Sequence, residues 1–416
     1  MPFRNREHAP KTTISTQARN EYIEYWVRDL AAHTKLLRTV DKSMSDVPLD
    51  APSSCPGTKS DQAGKASTCE GCPNQSMCSS GQAKLPLSER EPETIQTIKR
   101  RLCSVRYKII ILSGKGGVGK SSLSVCLARG LSRLERSQKS DQGGLNNNYT
   151  VGLLDLDLCG PSIPCMFGCM DEKIHQSQSG WSPVFVTENL SLMSIGFLLP
   201  SPDHPVIWRG PRKNTLIRQL LTDTSWIEEE DGKLDQTASL DFLIIDTPPG
   251  TSDEHLSVIQ YLQAANCLDG VIIITTPQEV ALCDVRKEID FCRKLSVRIL
   301  GIVENMTEFV CPSCKHSGPV FPPTTGGANS LCTANGDKES VSSSPSLDIE
   351  ILGRLPLDPR LTRALDEGLC PFELAESNSL ISEQFQDSND TGLKTSDAVI
   401  VAFQELFNNL LKKLHD

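Results

Sequence analysis

Residues 113–122 read Ser-Gly-Lys-Gly-Gly-Val-Gly-Lys-Ser-Ser. Gly114, Gly119, Lys120 and Ser121 meet the spacing of a phosphate-binding loop. Glycines let the backbone curl until successive N–H groups point inward at an anion. The helix that must follow offers its N-terminus to the same phosphates. Lys120 would pair with the β- and γ-phosphates of ATP, and Ser121 would hold Mg²⁺. The nucleotide-contacting set is Gly114, Lys115, Gly116, Gly117, Val118, Gly119, Lys120, Ser121 and Ser122, with Asp155. Two acidic segments complete the chemistry. Phe242–His255 ends a buried run on Asp246, within reach of the Mg²⁺ hydration shell. Leu153–Pro164 carries Asp155 and Asp157. Alternation along a strand would place these two on one face, with Asp155 in the Mg²⁺ shell and Asp157 positioning water. Phosphoryl transfer needs mainly positioning and charge neutralisation, so the catalytic residues are Lys120, Asp157 and Asp246.

The second chemistry is thiolate. Cys55, Cys69, Cys72 and Cys78 fall inside a Ser-, Gly- and Pro-rich stretch with few apolar residues. Such a stretch cannot fold around a core, and a bound metal would supply the missing stability. Four thiolates suit an iron–sulfur cluster or zinc; redox thiols are the remaining alternative. Cys311 and Cys314 form a further Cys-x-x-Cys. Two thiolates are half of a tetrahedral site, which a two-fold dimer would complete. A redox pair, or a zinc half-site with His316, is the alternative. The other ten of the 16 Cys call for no special role, and Cys103, Cys126, Cys267, Cys283 and Cys292 read as small core residues.

Elements must position these groups. Short, β-branched, nearly continuous runs occur at 108–112, 151–154, 242–245, 271–275, 299–303 and 349–352. Strands buried on both faces read this way. Helical patterns alternate with them, as at 122–134, which implies a doubly wound α/β domain with a mostly parallel sheet. An amphipathic helix is expected over 18–42 and another over 396–415. Polar stretches at 136–148, 228–239, 329–347 and 376–394 read as surface loops. The organisation is therefore an extension at 1–50, a four-cysteine segment at 51–85 and an ATPase domain at 100–416.

The 416 residues carry a net charge of −10. That balance argues against a general nucleic-acid binder. No apolar run is long enough for a transmembrane helix, and the first 20 residues lack the apolar core of a secretory signal. Free or metal-bound thiols then fit a reducing, cytoplasmic compartment.

Lys115 gives the loop a second lysine, in the form Lys-Gly-Gly-x-Gly-Lys-Ser. This resembles the deviant P-loop of ParA/MinD-type ATPases, in which that lysine reaches across a dimer to the partner's nucleotide, and the resemblance implies that Lys115 is a fourth catalytic residue. Taken with Asp-Leu-Asp-Leu-Cys-Gly-Pro-Ser at 155–162, Trp-Arg-Gly-Pro-Arg-Lys at 208–213, Asp-Thr-Pro-Pro-Gly-Thr at 246–251 and both cysteine sets, the chain resembles the Mrp/NBP-type P-loop ATPases. The match is to the nucleotide-binding protein 1 class, cytosolic scaffolds for iron–sulfur cluster assembly. The resemblance implies one 4Fe–4S cluster on Cys55, Cys69, Cys72 and Cys78 of each chain. It implies a second, labile one bridging two chains through Cys311 and Cys314. ATP and Mg²⁺ would control loading or release by a slow, dimer-dependent ATPase. The partner would be a second copy or a shorter Mrp-like homologue, and downstream carriers and apo-proteins of cytosol and nucleus would receive the cluster. Nucleic acid and membrane are not expected partners. The competing readings are a metal-binding module whose P-loop only senses nucleotide and a partition-type positioning ATPase. Two departures stand out: the long extension, and the Ser-rich stretch at 329–347 where the family continues as a helix.

Overall fold

The computed structural model describes residues 61–71, 75–81, 85–136, 147–177, 180–199, 210–227, 229–230, 233–234, 239–311, 316–322, 324–332, 349–374 and 397–415. The helix expected over 18–42, most of the loops at 329–347 and 376–394, and Cys55, Cys72 and Cys314 lie outside them.

Nine strands form one sheet. They are β1 (Val105–Leu112), β2 (Val151–Asp155), β3 (Val184–Thr187), β4 (Leu190–Ser194), β5 (Leu240–Asp246), β6 (Gly270–Thr275), β7 (Ile299–Val310), β8 (Ser317–Pro319) and β9 (Ile351–Leu357). Their order is β8-β7-β6-β1-β5-β2-β4-β3, with β9 also paired to β7. The six strands from β7 to β4 run parallel, as does β9 on β7. Only β3 and β8 are antiparallel. Every residue of β2, β4, β5 and β6 is buried, as a sheet covered on both faces requires.

Alternation splits the core cleanly. Ile110 and Leu112 point to one face, covered by α1 (Pro92–Leu102), α3 (Gly210–Asp223), α4 (Asp253–Ala264) and α5 (Glu279–Lys294). Ile109 and Ile111 point to the other, covered by α2 (Lys120–Leu131), α6 (Pro359–Asp366) and α7 (Asp397–His415). On that face Phe372, Phe403 and Phe407 form a ring cluster with centroids 5.6–6.0 Å apart. Phe407 lies against the backbone of α2 at Gly130, where an added Cβ would meet the ring. The site depends on this packing because α2 begins at the phosphate loop. Among the described residues no helix is long and apolar enough to cross a membrane.

Several expectations are corrected. β4, Leu-Ser-Leu-Met-Ser, was not anticipated because its serines mask it; Ser191 and Ser194 are buried. β7 runs seven residues past the expected Val303 through Glu304 and Asn305, both held by hydrogen bonds. The expected strand at 349–352 forms at 351–357 instead. Asp155 and Asp157 are not alternate residues of one strand. β2 stops at Asp155, and the chain turns so that the Asp157 N–H donates to Asp155 Oδ1 at 3.0 Å. Of the presumed core cysteines, Cys126, Cys267 and Cys292 are buried, but Cys103 and Cys283 are exposed.

Candidate functional site

Parallel pairing brings the acidic strand ends to the phosphate loop. Asp246 lies level with Ile111 of β1 on one side and with Asp155 of β2 on the other, and Asp155 lies level with Ser194. The loop from Gly114 to Gly119 therefore leaves β1 beside two carboxylates. Gly117 and Gly119 adopt φ of 81° and 91°, a region in which a side chain is strained. Lys120 opens α2 and is buried. Its Nζ lies 2.6 Å from Asp246 Oδ2 and 3.2 Å from Ser121 Oγ. Ser121 Oγ donates to the same Oδ2 at 2.8 Å, and Ser124 Oγ lies 2.6 Å from Oδ1.

Asp155 is fully buried and accepts from Ser194 Oγ at 2.8 Å. Burial, then the neighbouring Asp246 carboxylate, pushes the Asp155 carboxyl up to about 8. Burial also raises Asp157, although Lys120 opposes it. One buried lysine thus stands between two buried carboxylates and a third that is half-buried. A hard divalent cation takes oxygen ligands and keeps several waters, so the Ser121 hydroxyl and one of these carboxylates would be its protein ligands, with water and nucleotide phosphates supplying the rest. A nucleotide's phosphates would give Lys120 a second anion beside Asp246 and would meet the loop N–H groups as well.

A model of the ParA family, described as the NUBPL iron-transfer P-loop NTPase, matches residues 104–391. The chain belongs to this family. As an iron-transfer P-loop NTPase it is a nucleotide-hydrolysing enzyme of mostly parallel α/β fold, as the sequence led us to expect. It is 31% identical to the nucleotide-binding protein of Archaeoglobus fulgidus solved in complex with ADP, over 66% of this chain and 92% of that one, with a TM-score of 0.48. The Pyrococcus furiosus cell division ATPase MinD is 18% identical, over 74% and 98%, TM-score 0.40. A putative plasmid partition protein of Borrelia burgdorferi bound to AMPPNP is 19% identical, over 74% and 99%, TM-score 0.42.

In this iron-transfer P-loop NTPase, Lys115 turns away from Lys120. Its Nζ forms an ion pair with Asp284 Oδ2 of α5 at 2.9 Å, while Lys287 holds the other oxygen at 2.8 Å. These two lysines hold the Asp284 carboxyl below the usual carboxylate range. Gly114 is packed on the same residue; a Cβ there would lie 2.7 Å from Asp284 Cβ. Sequence reading missed Asp284 because it is one charge among several on an amphipathic helix. It also missed Asn305, whose Nδ2 donates to the Val118 carbonyl of the loop at 2.8 Å.

The cysteine sets are only partly described. Cys69 is buried at the end of a short 3₁₀ turn, Ser67–Cys69, and Cys78 is half-buried on a helical turn, Gln75–Ser80. Cys311 stands at the end of β7, half-buried, with its N–H donating to the His316 carbonyl at 2.9 Å across the turn to β8. Among the described residues no group of three or more His, Cys, Asp or Glu is placed to hold a metal.

Proposed function

We propose that this NTPase is an ATP-dependent scaffold that assembles 4Fe–4S clusters and passes them to apo-proteins in cytosol and nucleus. The observation that carries the reading is the position of Cys311. It ends the strand whose Asn305 touches the phosphate loop, so the thiol pair and the nucleotide site share one element. The family's iron-transfer description supports the class of cargo.

In this reading Cys55, Cys69, Cys72 and Cys78 hold a resident cluster. Cys69 ends the 3₁₀ turn Ser67–Cys69 and Cys78 lies within the helical turn Gln75–Ser80, and thiolate donors suit iron–sulfur centres. Cys311 and Cys314 offer half a ligand set, completed by a second copy or by a shorter Mrp-like homologue. The bound nucleotide is ATP with Mg²⁺: Lys120 and the N–H groups of Gly114 to Ser122 bind phosphate, while Ser121, Asp246 and Asp155 face the cation. Asp157 orients water, and its N–H bond to Asp155 fixes the turn that carries it. Lys115 leaves Asp284 to serve the partner's nucleotide, which makes turnover slow and dependent on the dimer.

The test is anaerobic reconstitution with iron and sulfide counting and Mössbauer spectroscopy. A 4Fe–4S signature is expected, with Cys311→Ala and Cys314→Ala removing the transferable fraction and leaving the N-terminal one. Stoichiometric zinc without sulfide overturns the reading, as does full transfer to an apo-enzyme by the doubly substituted protein.

A further inference from the structure

We infer that Asn305 is the positioning residue through which the phosphate loop sets the conformation of the Cys311 hairpin. The inference deepens the scaffold reading and rests on it for the biological meaning of Cys311, but its geometry stands independently.

Three features meet at this point of β7. First, the Asn305 side chain joins two backbones. Its Nδ2 donates to the Val118 carbonyl at 2.8 Å, and its Oδ1 accepts the Met306 N–H at 2.9 Å. The fit is close: a Cβ on Gly119 would run into the Asn305 amide. Second, Met306 has a φ of 56°. A non-glycine residue in the left-handed region is uncommon and persists only when its surroundings hold it there. Here the holder is Asn305. Third, the ladder between β7 and β9 loses register at the same place. Asn305 pairs with Leu355 and Phe309 with Leu357, so four steps on β7 oppose two on β9. Extra residues on one strand bend it locally.

Together these make a hinge with a handle. Below Asn305 the strand is locked in the sheet; Ile302 and Val303 are fully buried. Beyond Met306 the strand keeps only Phe309 opposite Leu357 on β9 and pairs with β8 as a hairpin arm. Phe309 pairs with Gly318 and Val310 with Ser317, and the Cys311–His316 bond closes the turn. With four steps of β7 matched to two of β9, the arm from Asn305 to Cys311 advances about 13 Å at strand rise. A small rotation at Met306 is therefore amplified at the thiol pair. The handle is the Val118 peptide, which lies inside the stretch whose N–H groups wrap phosphate. Filling the loop with nucleotide fixes that peptide, and through Asn305 fixes the hinge. Emptying the loop frees both.

The experiment uses the full-length, cluster-free protein, so its outcome does not depend on whether the cargo is a 4Fe–4S cluster. Pulsed alkylation with N-ethylmaleimide, read by peptide mass mapping, reports the labelling rates of Cys311 and Cys314. It is run without nucleotide and with saturating Mg²⁺ and a non-hydrolysable ATP analogue, whose binding is measured separately by equilibrium dialysis. In the unmodified protein, nucleotide slows labelling of both cysteines by about threefold or more, as expected when a local opening is suppressed. In Asn305→Asp, which keeps the acceptor for Met306 but loses the donor to Val118, nucleotide still binds at saturation and the rate ratio falls to near unity. Insertion of two glycines after Glu308 leaves the loop contact intact and also abolishes the ratio. A ratio of one in the unmodified protein with nucleotide bound overturns the inference. So does an undiminished ratio in Asn305→Asp. Failure of the scaffold reading shows elsewhere, as zinc in place of iron and sulfide, with the labelling ratio unaffected.

Discussion

Lys120→Ala is the natural substitution for removing phosphate binding, and the structure predicts that it does more. Lys120 is buried, and its Nζ lies 2.6 Å from Asp246, which is fully buried. Removing one partner of a buried pair strands the other charge, at a cost of roughly 3–5 kcal/mol. Here the Ser121 and Ser124 hydroxyls remain on the carboxylate at 2.8 and 2.6 Å. They hold the loss near the lower end, about 3 kcal/mol in nucleotide-free protein. For a domain of this size that is a fall in Tm of about 5–10 °C. The measurement is urea unfolding in metal-free buffer, followed by circular dichroism, of the unmodified protein, Lys120→Ala, Asp246→Asn and the double variant. Removing the charge as well as its partner should return most of the loss, leaving the double variant about 1 kcal/mol below the unmodified protein. If Lys120→Ala unfolds within about 0.5 kcal/mol of the unmodified protein, the ion pair is not the state the molecule adopts without nucleotide. If the double variant is no better than Lys120→Ala, the stranded charge is not the cause. Either result refutes the reasoning. A loss of function in Lys120→Ala should accordingly be compared with the stability-matched double variant.

Further predictions follow from side chains around the site. Asp284→Asn frees Lys115 from a surface ion pair, so stability changes little, while nucleotide-dependent dimerisation, read by sedimentation, strengthens by up to about fivefold; weaker dimerisation would contradict a competition between Asp284 and the partner's nucleotide for Lys115. Gly130→Ala places a Cβ 2.5 Å from Phe407 Cε2 and 3.0 Å from Cε1. Overpacking of about 1–3 kcal/mol outweighs the helix-propensity gain of about 1 kcal/mol, and Phe407→Leu in the same chain should relieve it; a more stable Gly130→Ala would show the ring free to move. Glu288 in α5 is buried with neither oxygen hydrogen-bonded, and burial pushes its carboxyl up from 4.5 to about 8. A raised folded-state value means the stabilising term is full below the unfolded value and is lost as pH rises through the folded one. Glu288→Gln should therefore gain on the unmodified protein progressively from about pH 5 to pH 8 and hold its advantage above that. A constant difference across that range would show the carboxyl to be solvated.

Some of this was legible in the residues alone. The run Phe242–Ile245 is continuous and apolar because both faces of its strand are covered, and Asp246 at its end meets the loop that follows the neighbouring strand. The loop itself is a local pattern, readable without the fold. What escaped reading is non-local or disguised. Asp284 reaches Lys115 from a helix far along the chain, and no periodicity marks which charge on that helix will do so. β4 hides its burial behind two serines, one of which positions Asp155. Glu304 looks like a surface carboxylate, yet it is buried, with Oε1 accepting from the Ala328 N–H and Oε2 facing Arg354. Its polarity made the strand seem to end at Val303. The same-face argument for Asp155 and Asp157 failed because it presumed that a strand that stops at the first of them would continue.

The contact between α7 and the phosphate-loop helix has a consequence for biogenesis. Phe403, Leu406, Phe407 and Leu410 form the lid over a face shared by α2 and β9. A growing polypeptide exposes Gly130 and its apolar neighbours to solvent long before Phe407 has been synthesised. Until then that apolar face stays uncovered, and the helix that presents Lys120 has no backing. Nucleotide, and whatever cargo depends on it, should consequently engage only after translation has finished. A frameshift or stop codon near residue 400 should behave as a null allele of the nucleotide site rather than as the loss of a tail.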